Sequence, residues 1–244
     1  PGTPDDVSTG LSEQFKVHSG TDGLLGFRKL GDNVAIYSNN TVTLGQFVGD
    51  PLVFSFRDVS IGIGPVSPRA IAVFPDHHEF IGVDSKYTFD GASVRIIGTH
   101  VWREFLRQQD PVRISRTYSH FDEEDGELMW SLPLTTDPNS GVDTAAPGTA
   151  IVEHYLEDVG PTNPIPVSIR TFPFTATGYY TRNAGLTWDQ LTAQWQSYNF
   201  RWNDQFFFAS FPLNMAGASD GKIYSFNTSQ NADGAALPSF VKFG

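Results

Sequence analysis

Aspartate-led turns recur along this chain, each just ahead of an aromatic or aliphatic strand segment, at a spacing that few architectures can use. Asp32-Asn33, Asp76-His77, Asp125-Gly126 and Asp204-Gln205 lie 44, 49 and 79 residues apart. A period of about 40–50 residues with about four short strands in each is that of a β-propeller blade. The longest gap reads as two shorter units.

The segments between the turns have strand chemistry. In "NVAIYSNNTVTLGQFVG", Val34 and Ile36, then Val42 and Leu44, alternate on either side of Asn39-Asn40. That is period two around a two-residue turn, and asparagine tolerates the positive φ such a turn demands. "PLVFSFRDVS" sets Val53 and Ser55 on one face and Phe54 and Phe56 on the other. "AIAVF", "EFIGV", "KYTFDG" and "SVRIIG" follow, and later "ELMWSLP", "TAIVEHYLE", "PVSIRTF", "QFFFASFPL" and "KIYSFNT". With 20 Phe, 23 Gly and 16 Pro, and only 18% charged residues, the composition suits short strands joined by tight turns.

One segment departs from this rhythm. "LTWDQLTAQWQSY", Leu186 to Tyr198, places Trp188, Leu191 and Trp195 on one helical stripe. Thr187 with Gln190 forms a capping box, Leu186 and Leu191 stand at the staple positions, and Asp189 falls in the first turn. The sequence therefore predicts an all-β, β-propeller-like array of short antiparallel blades with one short helix. Residues 1–26 read as an N-terminal extension and 27–244 as the β domain, with about four to five blade-like units in a propeller that need not close. A β-sandwich is the competing architecture. The chain opens on Pro1 and ends on "LPSFVKFG", a strand-like stretch cut short, which predicts a segment of a longer polypeptide.

Composition also narrows function. A chain of 244 residues can bury roughly 70% of its unfolded surface and needs no disulfide or metal to fold. The absence of cysteine excludes disulfides, thiolate metal sites and cysteine nucleophiles, and fits assembly in a reducing cytoplasm. No apolar run has the length of a membrane span. A net charge of −11 argues against ordinary binding to a phosphate backbone, though an acidic wall would let DNA slide past without sticking.

Several stretches invite a chemical reading. "PDHHEFIGVDSKYTFDG", residues 75–91, gathers two histidines with aspartates and a glutamate. A zinc site needs three or four converging ligands, but adjacent His77 and His78 on a strand point to opposite faces. The stretch reads as a β-hairpin with its polar groups toward water. "HFDEEDGELMW" offers Asp122, Glu123, Glu124 and Asp125 as paired carboxylates. Acid–base work needs one of such a pair in a different, partly buried environment, and four acids leading into Asp-Gly read instead as a solvated hairpin tip. Arg103, Arg107, Arg113 and Arg116 in "WREFLRQQDPVRISR" read as a scattered solvated face, with an intersubunit seam as the alternative. "GIGPVSPRAIAVF" reads as an extended crossover, because Pro65 and Pro68 prevent a phosphate-binding helix N-terminus. There is no Gly-x-x-x-x-Gly-Lys-Ser/Thr phosphate loop. The expected inventory holds no catalytic, cofactor-binding or metal-ligating residue. The loops "SIGIGPVSPR" and "TTDPNSGVDTAAPG" are expected to dock partners.

Two resemblances add to this. "TRNAGLTW" is similar to the Asp-box turn of sialidase-like propellers, with Asn183 where that family has aspartate. It implies a carbohydrate-binding or glycoside-cleaving propeller as the alternative function. The wider likeness is to the tail nozzle, hub and DNA-stabilisation proteins of tailed bacteriophages. It is carried by Phe54-Ser55-Phe56-Arg57 with the Gly-rich crossover after it, Tyr87 to Gly91, Trp130 to Pro133, then "TWDQLTAQW" and "GKIYSFN", in that order from about Gly26 to Asn227. This resemblance implies a non-enzymatic virion protein, assembled in the host cytoplasm into a homo-oligomeric ring of the tail or neck. Its implied partners are other tail or neck proteins, and DNA that passes without sequence-specific binding.

Overall fold

The computed structural model describes residues 23–49, 54–137, 140–141, 146–155, 165–180 and 213–225, with the backbone of 231–232 and 235–236. Three successive four-stranded sheets make up most of it. The first holds β1 (Leu24–Leu30), β2 (Asn33–Ser38), β3 (Thr41–Phe47) and β4 (Phe54–Ile61). The second holds β5 (Ile71–Val73), β6 (His78–Ile81), β7 (Lys86–Phe89) and β8 (Val94–Ile96). A helix, α1 (His100–Arg107), leads to the third: β9 (Tyr118–Asp122), β10 (Glu127–Leu132), β11 (Thr149–His154) and β12 (Val167–Thr171). A three-stranded sheet of β13 (Ala176–Tyr180), β14 (Leu213–Gly217) and β15 (Ile223–Ser225) follows, then a small pair, β16 (Asn231–Ala232) and β17 (Ala235–Ala236). In each sheet the strands neighbour one another in chain order, and the pairings are antiparallel. The chain is all-β in class, and β1 begins at Leu24, inside the stretch that the sequence assigned to the extension.

The aspartate turns occupy one equivalent place. Asp32 lies between β1 and β2, Asp76 between β5 and β6, and Asp125 between β9 and β10, so each joins the first and second strands of its sheet. Asp204-Gln205 and the helix expected over Leu186 to Tyr198 lie outside the described residues. The helix α1 was not expected. It buries Trp102 and Leu106, four residues apart on one face. Thr99 at its N-cap makes no side-chain capping bond and its first turn carries no acid, so the usual start signals are missing.

The sheets stack face to face through three apolar layers. Leu30, Ala35, Tyr37, Val42 and Leu44 of the first sheet meet Ile71, Phe80, Tyr87 and Phe89 of the second. The opposite side of the second sheet, with Ala72 and Ile81, joins Trp102 and Leu106 of α1 against Leu128, Trp130, Leu132 and Ile151 of the third. Met129, Ala150 and Val152 on the other side of the third sheet pack with Ala216 of the fourth. Strand periodicity makes this possible: Phe80 faces one layer while its neighbours Glu79 and Ile81 face the next. Each fully buried large side chain contributes about 1.5–3 kcal/mol.

Hydrogen bonds tie the entries of the first strands together. Arg28 of β1 donates to the Pro68 carbonyl at 2.7 Å, and the Ser67 hydroxyl to the Thr117 carbonyl at 2.6 Å. The Ser119 N–H donates to the Arg69 carbonyl at 2.9 Å, and Arg69 to the Thr175 carbonyl at 3.3 Å. The crossover between the first two sheets is not extended throughout: it runs past the Asn39-Asn40 turn at Gly64 and then turns at Ser67–Ala70, where the Ala70 N–H donates to the Ser67 carbonyl at 3.1 Å. A side chain at Gly64 would stand 2.3 Å from the Ser38 carbonyl oxygen and 2.5 Å from that of Asn39. No helix among the described residues is long and apolar enough to cross a membrane.

Candidate functional site

The densest polar chemistry lies between the second and third sheets. β7 turns Lys86 into that layer, β6 turns Glu79 into it, and β11 brings Glu153 from the opposite side. Lys86 Nζ is 2.7 Å from Glu79 Oε2 and 2.5 Å from Glu153 Oε2, and the three side chains are at most 6% exposed. Two indoles complete the enclosure. Trp102 donates to Glu153 Oε1 at 3.1 Å and Trp130 to Glu153 Oε2 at 3.0 Å. The ammonium also lies 5.4 Å from each indole ring, within cation–π range.

Glu79 has further partners. Tyr155 donates its hydroxyl to Oε2 at 2.7 Å, and His77 Nε2 stands 3.6 Å from Oε1. Burial alone would raise the Glu79 carboxyl. The nearby His77 imidazole, the Lys86 contact and charge, and the Tyr155 hydroxyl outweigh it and hold the group at about 2. The nearby Glu79 carboxylate in turn raises the His77 imidazole against its partial burial, with Asp76 adding to the effect. Burial raises the Tyr155 hydroxyl, and the Glu153 and Glu79 charges raise it further.

A second ionic cluster sits behind α1. Arg113, wholly buried, donates to Asp110 Oδ2 at 2.8 Å, to the Leu134 carbonyl at 2.9 Å and to the Ala146 carbonyl at 3.2 Å, with Asp137 Oδ2 at 3.4 Å. Asp137 also accepts from the backbone N–H groups of Leu134 and Gly148 and from the Thr149 hydroxyl. Asp110 is held at about 2, first by the Gly141 N–H and then by Arg113.

Several sequence expectations change here. Residues 75–91 do form the β6–β7 hairpin with its flanking turns, and His77 and His78 do diverge. The polar groups do not all face water, however: His78, Glu79 and Lys86 are buried. His78 Nδ1 lies 2.8 Å from the Tyr37 hydroxyl and Nε2 lies 2.9 Å from the Lys29 carbonyl oxygen. A carbonyl only accepts, so Nε2 carries the proton and Nδ1 accepts from Tyr37. Among the described residues no group of three or more His, Asp or Glu side chains could hold a metal ion.

The acidic stretch is a hairpin tip with Glu123, Glu124 and Asp125 exposed, but Asp122 and Glu127 at its base are buried. Arg170 forms a two-pronged pair with Glu127. The arginine run is not one solvated face. Arg103 and Arg107 are exposed and Arg116 is half-buried, whereas Arg113 is a core residue because two aspartates and two carbonyls surround it.

The expected docking loops are anchored as well. The first is seated by Gly64, and the second is pinned at Asp137 and Gly148, so excising all of residues 136–147 would remove two partners of Arg113, Asp137 and the Ala146 carbonyl. Asn183 and the box around it lie outside the described residues. Sequence reasoning missed both ionic clusters. The one available signal was Glu79 and Lys86, charged residues set beside Phe80 and Tyr87 within short strands.

Neither cluster has the make-up of a glycoside-cleaving carboxylate pair. A glycoside-cleaving pair needs one carboxyl raised by a partly buried site, whereas the buried Glu79 and Asp110 are both lowered. Among the described residues the carboxyl that is raised is Asp125, on the exposed tip, through partial desolvation and then the charges of Asp122 and Glu127. No protein-family model matches the chain, and no curated protein matches it either.

Proposed function

We propose that this chain is a structural virion protein of a tailed bacteriophage. In this reading its sheets are blades of a β-propeller, and copies of it form a ring in the tail nozzle, hub or head-to-tail connector around the path of the DNA. The observation that carries the reading is the stack itself: three meandering four-stranded sheets with equivalent aspartate turns, packed face to face and tied at their first strands. Their rhythm matches the order of motifs that resembles the nozzle and hub proteins. The acidic balance supports it physically, since like charge repels the phosphate backbone and lets DNA pass without adsorbing. The Lys86 cluster braces the second sheet against the third, and the Arg113 cluster ties the segment after α1 to the β10–β11 connection.

The test is location. Antibodies raised against the purified chain, coupled to gold, should label one end of the tail or the neck of particles whose genome encodes it. Particles that carry no label after mild disruption would overturn the proposal. Hydrolysis of a sialoside by the purified chain would favour the glycoside-cleaving alternative instead.

A further inference from the structure

The Lys86 cluster holds an amine against a carboxyl of the neighbouring sheet in a site closed to water. Lys86 Nζ is 2.5 Å from Glu153 Oε2, and both side chains are at most 5% exposed. Trp102 donates to Glu153 Oε1, where negative charge would collect if the carboxyl carbon became tetrahedral. Trp130 donates to Oε2, the oxygen nearer the amine. A second carboxylate, Glu79, touches the same Nζ at 2.7 Å and is steadied by Tyr155, so a proton carrier is in place. Reacting groups fixed in this way act at very high effective concentration. Joining them would also remove two buried charges that are expensive to keep out of water.

We propose that Lys86 and Glu153 condense into an isopeptide bond that links the second and third sheets covalently, with Glu79 relaying the protons. Glu79 takes a proton from the Lys86 ammonium and passes it to Glu153 Oε2. The neutral Nζ then attacks Glu153 Cδ, forming the Nζ–Cδ bond. Glu79 removes a second proton from the nitrogen and delivers it to Oε2, and the Cδ–Oε2 bond breaks to release water. The amide keeps one N–H, Glu79 returns to its carboxylate, and no oxidant or reductant is involved. The inference rests on this geometry alone and is independent of the virion proposal.

The test is the mass of the whole, unfolded, purified chain. It should be lighter than its sequence mass by one water, and proteolysis should yield a branched peptide joining the Lys86 and Glu153 segments. Lys86→Arg should restore the full sequence mass. Glu153→Gln should lose ammonia rather than water and reach the same cross-linked mass as the wild type. A succinimide at an Asp-Gly pair such as Asp90-Gly91 also loses water, but it would survive Lys86→Arg and give no branched peptide. A wild-type chain at its full sequence mass overturns the bond and leaves a buried ion triad only. A Glu79→Gln chain cross-linked as fully as the wild type overturns the relay.

Discussion

Replacing Arg113 by methionine removes a buried cation while keeping a side chain of similar length. Arg113 is wholly buried, and the guanidinium donates to two aspartates and to the carbonyls of Leu134 and Ala146. Taking one partner out of a buried pair costs about 3–5 kcal/mol, because the remaining charge is left uncompensated. Here the carboxylates keep other donors. Asp110 retains the N–H groups of Val112 and Gly141, and Asp137 retains those of Leu134 and Gly148 with the Thr149 hydroxyl. The loss should therefore fall near the lower end, about 3 kcal/mol. Urea unfolding followed by tryptophan fluorescence should show the midpoint lowered by about 1 M or more at an unchanged slope. Arg103→Met, on the exposed side of α1, is the control and should stay within about 0.5 kcal/mol of wild type. An Arg113→Met midpoint indistinguishable from that control would refute the buried cluster and restore the solvated face.

His78 gives a pH signature. Burial lowers its imidazole below the ordinary 6.5, so the unfolded chain binds the proton more readily and the contribution of His78 fades as pH falls below that value. Destabilisation by His78→Gln should be smaller at pH 5 than at pH 7; an equal or larger effect at pH 5 would contradict the neutral, buried ring. His77→Ala should leave the metal content of the purified protein unchanged, and stoichiometric zinc lost in that variant would overturn the hairpin assignment. Gly64→Ala should destabilise by about 1–3 kcal/mol through contact with the Ser38 and Asn39 carbonyls, and an unchanged melting temperature would show that the crossover does not lie on that turn.

The parts of the fold that could be read from sequence are those set by local chemistry. Asp32, Asp76 and Asp125 mark turns through their own short-range preferences, and alternation in "NVAIYSNNTVTL" sets β2 and β3 around Asn39-Asn40. Alternation disappears where a sheet is covered on both faces. All six residues of β10, including Glu127 and Ser131, are buried, so an inward polar group looks like an outward one. The burial of Arg113 depends on Asp137, 24 positions away, and the Lys86 cluster spans 67 positions to Glu153. The first is a product of loop-to-loop packing and the second of sheet stacking, neither of which a local pattern encodes. The helix α1 was missed for the opposite reason: it is short and lacks the caps by which a helix announces its start.

Single-particle imaging of the purified protein tests the central claim most directly. The account predicts particles with a rotational symmetry axis and an open channel along it, each subunit showing blade-like sheets arranged around its own centre. A population of single subunits whose sheets enclose a dead-end pocket would contradict it.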